Sequence, residues 1–137
     1  VGTVPESGDA MERFFWVCLA GAGGVGARYL VQIWASERLG ASFPYGTLIV
    51  NVAGCFLIAA LMQSAVNVAT LSPTLRIALT TGFLGGLTTY SSFAWETTKL
   101  VQIGARGSAL WNLVLTTLAC FGAVVIGALL AQALTKA

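Results

Sequence analysis

Residues 80–92 read TTGFLGGLTTYSS, and nine of these thirteen residues are Gly, Ser or Thr. The run sits inside a longer apolar stretch, from about Thr74 to Lys99, of a length that crosses a bilayer as a helix. Gly in a helix interior costs about 1 kcal/mol relative to Ala, and Ser and Thr compete for the backbone's own hydrogen bonds. The run therefore predicts a helix broken partway across the membrane, since irregular backbone at that depth survives only when buried in protein or lining a polar cavity. Gly82 and Gly86 also form a GxxxG pair suited to close helix packing. Packing alone explains the glycines but leaves four Thr and two Ser without a role, so a break combined with packing accounts for more of the run. A break also releases carbonyls that can coordinate a hard cation such as Na⁺.

Three further apolar stretches flank this one, from Phe14 to about Trp34, from about Gly46 to Val66 and from Ser108 to about Leu134. The segments between them carry loop chemistry: Glu37, Arg38, Gly40 and Pro44 in the first, Ser72-Pro73 in the second, and two glycines around Arg106 in the third. Helices joined by such short loops are antiparallel neighbours. The fold class is therefore an all-α membrane protein of four transmembrane helices, the third broken at mid-membrane, occupying residues 12–137. Residues 1–11 are polar, contain Pro5, Gly8 and Asp9, and end at Met11, so they read as a disordered N-terminal extension. Phe14 to Trp34 lacks the basic flank and small-residue cleavage site of a signal peptide and is followed by equally apolar spans, which makes it a helix of the domain.

Composition agrees. Of the 137 residues 57% are hydrophobic and 9% charged, against about 25% charged in soluble domains. Lys and Arg occur singly, with no stripe to track phosphates, which excludes nucleic acid as a partner. Counted by side for four spans, Arg13, Arg76 and Lys136 oppose Arg38, Lys99 and Arg106, a balance that gives no orientation bias and permits a chain to insert both ways and pair with its inverted twin. Cys18, Cys55 and Cys120 are odd in number and lie in apolar runs, and there is no His, so neither a disulfide framework nor a zinc site is indicated and the cysteines read as small packing residues. Without His or paired intramembrane acids no catalytic set can be assembled, so an enzyme is not expected. Gly21, Gly23 and Gly26 satisfy G-x-G-x-x-G, but they lie inside an apolar span with no preceding strand.

Two ionisable residues fall within the spans, Arg28 in the first and Glu96 in the third, and such residues are functional candidates by default. Arg28 has an equally good structural role, snorkelling to the interface or capping a broken helix with its guanidinium. Thr47 and Asn51 are one turn apart on the second span, and Ser108, Asn112, Thr116 and Cys120 form a four-residue repeat on the fourth. Tyr90 and Phe93 share a face of the third. Hydroxyls, amides and electropositive ring edges could together replace the hydration of a small anion. In a generic membrane protein the same stripes are interhelical hydrogen bonds.

The segments GGVGARY (23–29), YGTLIVNVAG (45–54) and TGFLGGLTTYSSFAWET (81–97) resemble the Fluc/CrcB family of fluoride channels, and with the four-span layout the similarity covers residues 12 to 135. The resemblance implies an inverted, dual-topology homodimer in the inner or plasma membrane, surrounded by lipid, with two fluoride pores at the subunit interface and a central structural Na⁺. By position it implies that Gly85 and Thr88 hold the Na⁺ through backbone carbonyls. Asn51 matches the pore asparagine, Thr47 a hydroxyl of the lining, and Phe93 the second aromatic of the family's phenylalanine pair. Tyr90 matches the first, where the usual residue is Phe. Asn112 and Thr116 fall on the fourth span's polar track, and Arg28 and Glu96 on charged positions of the family. Two alternatives share the length and charge balance. One is a small dual-topology multidrug-type cation exporter, which needs an acid in the first span where this chain has Arg28. The other is a non-transporting assembly subunit, in which the stripes are packing bonds.

Overall fold

The computed structural model describes residues 7–67 and 71–136, and every regular element among them is helical. Helix α1 spans Ser7–Leu39 and α2 spans Tyr45–Asn67. The next segment comes in pieces: α3 (Pro73–Ile77), a π-helical stretch (Ala78–Leu84), α4 (Gly85–Leu87), two extended residues, and α5 (Tyr90–Gln102). Helix α6 spans Arg106–Lys136. Gly8–Leu39, Tyr45–Ser64 and Arg106–Thr135 are each long and apolar enough to cross a membrane. The third expected span is the divided one.

The elements end where local chemistry ends them. Gly40 (φ +88°) closes α1 and Gly104 (φ +83°) follows α5, each in the left-handed region that only glycine enters without strain. Ser72 caps α3 by accepting from the Leu75 amide at 3.2 Å, and Pro73 occupies the first helical position. The start of α1 corrects the expectation of a disordered extension through residue 11. Helix begins at Ser7, and residues 1–6 lie outside the described residues. Asp9 in the first turn complements the partial positive charge of the helix N-terminus, and Met11 and Glu12 are good helix formers, so the polar stretch extends the apolar helix by propensity.

Helix α1 packs on the π-helical stretch and on α4 through glycines of both partners. A Cβ on Gly82 would stand 2.7 Å from the Val17 carbonyl oxygen, one on Gly86 2.5 Å from that of Gly21, and one on Gly24 would collide with the Phe83 carbonyl. Gly82 and Gly86 thus do serve close packing, beside a real break. The Thr80 hydroxyl donates back to the Arg76 carbonyl at 2.9 Å, an i−4 bond of the kind that bends helices where the π-helical stretch begins. A second close seam joins α2 to α6, where Gly127 lies against the Phe56 carbonyl.

The buried core is small: Val50, Leu84 and Leu87, with Ala27, Val31 and Phe83 packed on it. Large apolar side chains point outward instead, among them Phe14, Trp111, Leu118 and Phe121. An apolar surface of this extent belongs against lipid or another protein chain. With its long apolar helices, the chain is a multi-pass membrane protein.

Candidate functional site

The break is the centre of the site. Thr88 (φ −85°, ψ 155°) and Thr89 (φ −153°, ψ 115°) are extended between α4 and α5. In an unbroken helix the Thr89 amide would bond the Gly85 carbonyl. It donates instead to Asn51 Oδ1 at 2.7 Å, while Asn51 Nδ2 donates to the Thr89 carbonyl at 3.0 Å. One buried amide on α2 therefore satisfies both polar groups of the interrupted peptide, and the Gly85 carbonyl is released from the helical ladder.

Both ends of the break are dressed by side chains. Thr89 Oγ1 accepts from the Ser92 amide at 3.2 Å and donates to Ser92 Oγ at 3.0 Å, capping the N-terminus of α5. The Thr88 hydroxyl donates to the Leu84 carbonyl at 2.9 Å. Arg28 reaches across from α1, its Nη1 donating to the Thr88 carbonyl at 3.4 Å, so the guanidinium caps the break. Of the two carbonyls expected to hold a cation, that of Gly85 fits a backbone-oxygen site and that of Thr88 already faces a positive charge. No group of three or more His, Cys, Asp or Glu side chains suited to a metal occurs among the described residues, so a cation here would depend on backbone oxygens.

Asn51, Gly85, Thr88, Tyr90, Phe93 and Thr116 line a single cavity of about 420 Å³ beside the break. Six of the residues singled out from the sequence thus meet in one place. Phe93 is buried and Tyr90 is 81% exposed, their ring centroids 5.6 Å apart and the planes inclined by 56°. Thr47 and Glu96 line a second cavity of about 440 Å³, together with Gln32, Ser36 and Lys99. There the buried Thr47 hydroxyl donates to Glu96 Oε1 at 2.9 Å, and Glu96 Oε2 is buried without a hydrogen-bond partner. Thr47 and Asn51, one turn apart on α2, connect the two cavities along one helix face.

Asn112 lines neither of these two cavities. It is fully buried, donates to Thr97 Oγ1 at 2.8 Å and accepts from Thr116 at 3.2 Å, while Thr97 donates to the Phe93 carbonyl at 2.7 Å. This line of bonds ties α6 to the backbone that carries Phe93, so Asn112 acts here as an interhelical link and Thr116 joins the link to the cavity.

Three contributors were not singled out from the sequence: Thr89, Thr97 and Gln32. Thr89 carried a signal, because a Thr directly after a glycine-rich run and three residues before Ser92 is a good helix N-cap. Gln32 follows Arg28 by one turn and reaches the Thr47 hydroxyl. Thr97 shows its role only once α6 is docked.

Comparison with known proteins adds to this geometry. Residues 15–128 match the family described as CrcB-like protein, Camphor Resistance (CrcB). A protein of Sorangium cellulosum named fluoride-specific ion channel FluC is 48% identical over 124 residues, covering 90% of this chain and 98% of the relative. Proteins of the same name from Citrifermentans bemidjiense and Anaeromyxobacter dehalogenans are 44% and 45% identical, covering 90% and 89% of this chain and 100% and 97% of those relatives.

Proposed function

The chain belongs to the CrcB-like family, and on that premise we infer that it is a fluoride channel, a passive pore and not an enzyme. The observation that carries this reading is the single cavity in which an amide, threonine hydroxyls and three aromatic rings converge beside a helix break, with no acid on its wall. Fluoride is small and strongly hydrated, so a dry path must replace its water with donors and electropositive ring edges, and this wall supplies both. A cation exporter needs an acid on α1, where Arg28 instead caps the break, and the relatives' names give that alternative no support. Fluoride that enters a cell as neutral HF dissociates and is trapped as the anion. A negative-inside potential then drives its exit at about 2.3 kcal/mol per charge per 100 mV, so no coupling machinery is required.

The working unit in this proposal is an inverted homodimer in the inner or plasma membrane, each subunit contributing four spans counted with the broken segment. The balanced Lys/Arg distribution supports dual insertion. Exposure of Tyr90 and Phe121 on the wall of the cavity supports a second subunit closing it, giving two pores along the interface. A Na⁺ on the dimer axis would be held by the Gly85 and Thr88 carbonyls of both subunits, with Arg28 displaced from Thr88 or sharing it.

Reconstituted liposomes loaded with fluoride and chloride, read by two electrodes, test the function. Rapid fluoride efflux with chloride retained is the expected outcome. Equal release of both anions, or of neither, would overturn it.

A further inference from the structure

Helix α5 carries Phe93, yet it is not a rigid continuation of the helix before it. Thr88 and Thr89 are extended, the Thr89 amide bonds Asn51 and the Ser92 amide bonds the Thr89 hydroxyl, so the hydrogen-bond ladder of α4 does not run into α5. Asn51 holds the joint itself, and the direction in which α5 leaves that joint must come from its packing. Among the described elements α5 packs chiefly on α6 and less on α2, and its buried residues are Phe93 and Leu100. Two side-chain hydrogen bonds tie it to other helices among the described residues. Thr47 donates to Glu96 Oε1 at 2.9 Å, and Asn112 Nδ2 donates to Thr97 Oγ1 at 2.8 Å.

We propose that Asn112 and Thr97 are positioning residues that pin α5 to α6 and so fix where Phe93 stands on the cavity wall. Asn112 is 1% exposed and both ends of its amide are in use, Nδ2 on Thr97 and Oδ1 accepting from Thr116 at 3.2 Å. Thr97 Oγ1 accepts the Asn112 bond and sends its own proton to the Phe93 carbonyl at 2.7 Å, one turn back on the same face. Pin and ring are thus joined through one backbone carbonyl. Neither Asn112 nor Thr97 lines the cavity that holds Phe93, so neither meets the ion and both act through the ring. A turn of α5 about the joint at Thr88–Thr89 strands a buried donor on Asn112 and carries Phe93 off the wall, and the cost of that stranded donor holds the helix in one pose. The role in transport rests on the fluoride reading, whereas the pin itself does not.

The test is amide hydrogen exchange of the purified full chain in detergent, paired with fluoride efflux from liposomes. Thr97→Val keeps the shape of the side chain and removes the hydroxyl, whereas Thr97→Ser keeps the hydroxyl. Exchange in α5 should rise about tenfold in Thr97→Val, the size of effect that losing one buried hydrogen bond gives, with α1 and α2 unchanged and the wild-type pattern restored in Thr97→Ser. Asn112→Leu, which removes the other partner, should give the same local rise, and the Thr97 pair decides the matter if that chain does not fold. Efflux should slow about tenfold in Thr97→Val and recover in Thr97→Ser. Unchanged exchange in α5, an equal rise in every helix, or wild-type efflux from a Thr97→Val chain whose α5 has loosened would overturn the proposal. A wild-type chain that releases no fluoride selectively fails the channel reading instead, and the exchange pattern then decides the pin by itself.

Discussion

The side chain of Asn51 and the peptide of Thr89 exchange two hydrogen bonds, at 2.7 and 3.0 Å, across the gap between α2 and the broken segment. Asn51→Ala leaves a buried N–H and a buried C=O without partners, at about 1–3 kcal/mol for each group. Asn51→Asp keeps the acceptor, loses the donor and places a carboxylate on the cavity wall. Both variants should lower thermal stability, and Asn51→Asp should abolish fluoride efflux in the electrode assay. Wild-type efflux from Asn51→Asp would remove this residue from the pore.

Phe93→Ile exchanges a buried ring for a somewhat smaller aliphatic group, a change milder than the about 3–5 kcal/mol of truncating a buried Phe to Ala. The protein should therefore purify with an unchanged elution volume while fluoride efflux falls sharply. Efflux at the wild-type rate from such a preparation would assign Phe93 to packing alone.

Gly86→Ala drives a methyl group to 2.5 Å from the Gly21 carbonyl oxygen and should separate α1 from α4, at about 1–3 kcal/mol by analogy with overpacked cores. Gly107→Ala, where nothing lies within 4 Å, should leave stability unchanged within about 0.5 kcal/mol. Thermal melts of the two variants in the same detergent provide the comparison.

Thr47→Val removes the hydroxyl that donates to Glu96 Oε1 and leaves both carboxylate oxygens without a protein donor. Stability should fall by about 1–3 kcal/mol, and Thr47→Ser should restore it. Equal melting temperatures for Val and Ser at this position would show that the hydrogen bond contributes little.

If the released carbonyls at Gly85 and Thr88 hold Na⁺ in the assembled dimer, thorough replacement of Na⁺ by a large organic cation should destroy efflux or dissociate the dimer. Undiminished efflux after that exchange would exclude a structural Na⁺.

Much of this arrangement is legible in the chain because the membrane makes composition decisive. The apolar stretches predict the long helices, and the nine small or hydroxylated residues of 80–92 predict the break. The run does not locate it: three glycine or threonine pairs compete, and the interruption falls at Thr88–Thr89 because Asn51, 38 positions away, satisfies that peptide. Asn112 shows the same limit in reverse. Its spacing from Thr116 is plain, but whether the pair faces a cavity or a neighbouring helix depends on Thr97, which only docking of α5 on α6 brings within 2.8 Å. The helical turn at Ser7–Met11 was hidden because polar composition resembles disorder when no apolar face marks the helix.

The seam between α2 and α6 also sets a timetable. It joins the second long helix to the last one, so Gly127 cannot reach Phe56 until synthesis of the chain is nearly complete. Each doubling of the separation along the chain adds only about 0.6 kcal/mol of loop-closure cost, so order of synthesis and not chain entropy makes this contact the later one. During that interval Asn51 and Thr89 have both been made, and their two hydrogen bonds can hold the broken segment against α2 before α6 arrives. The pairing that shapes the cavity in the finished protein thus joins residues that are both made before α6, so the interrupted backbone has its hydrogen-bond partner in the chain before the final wall does.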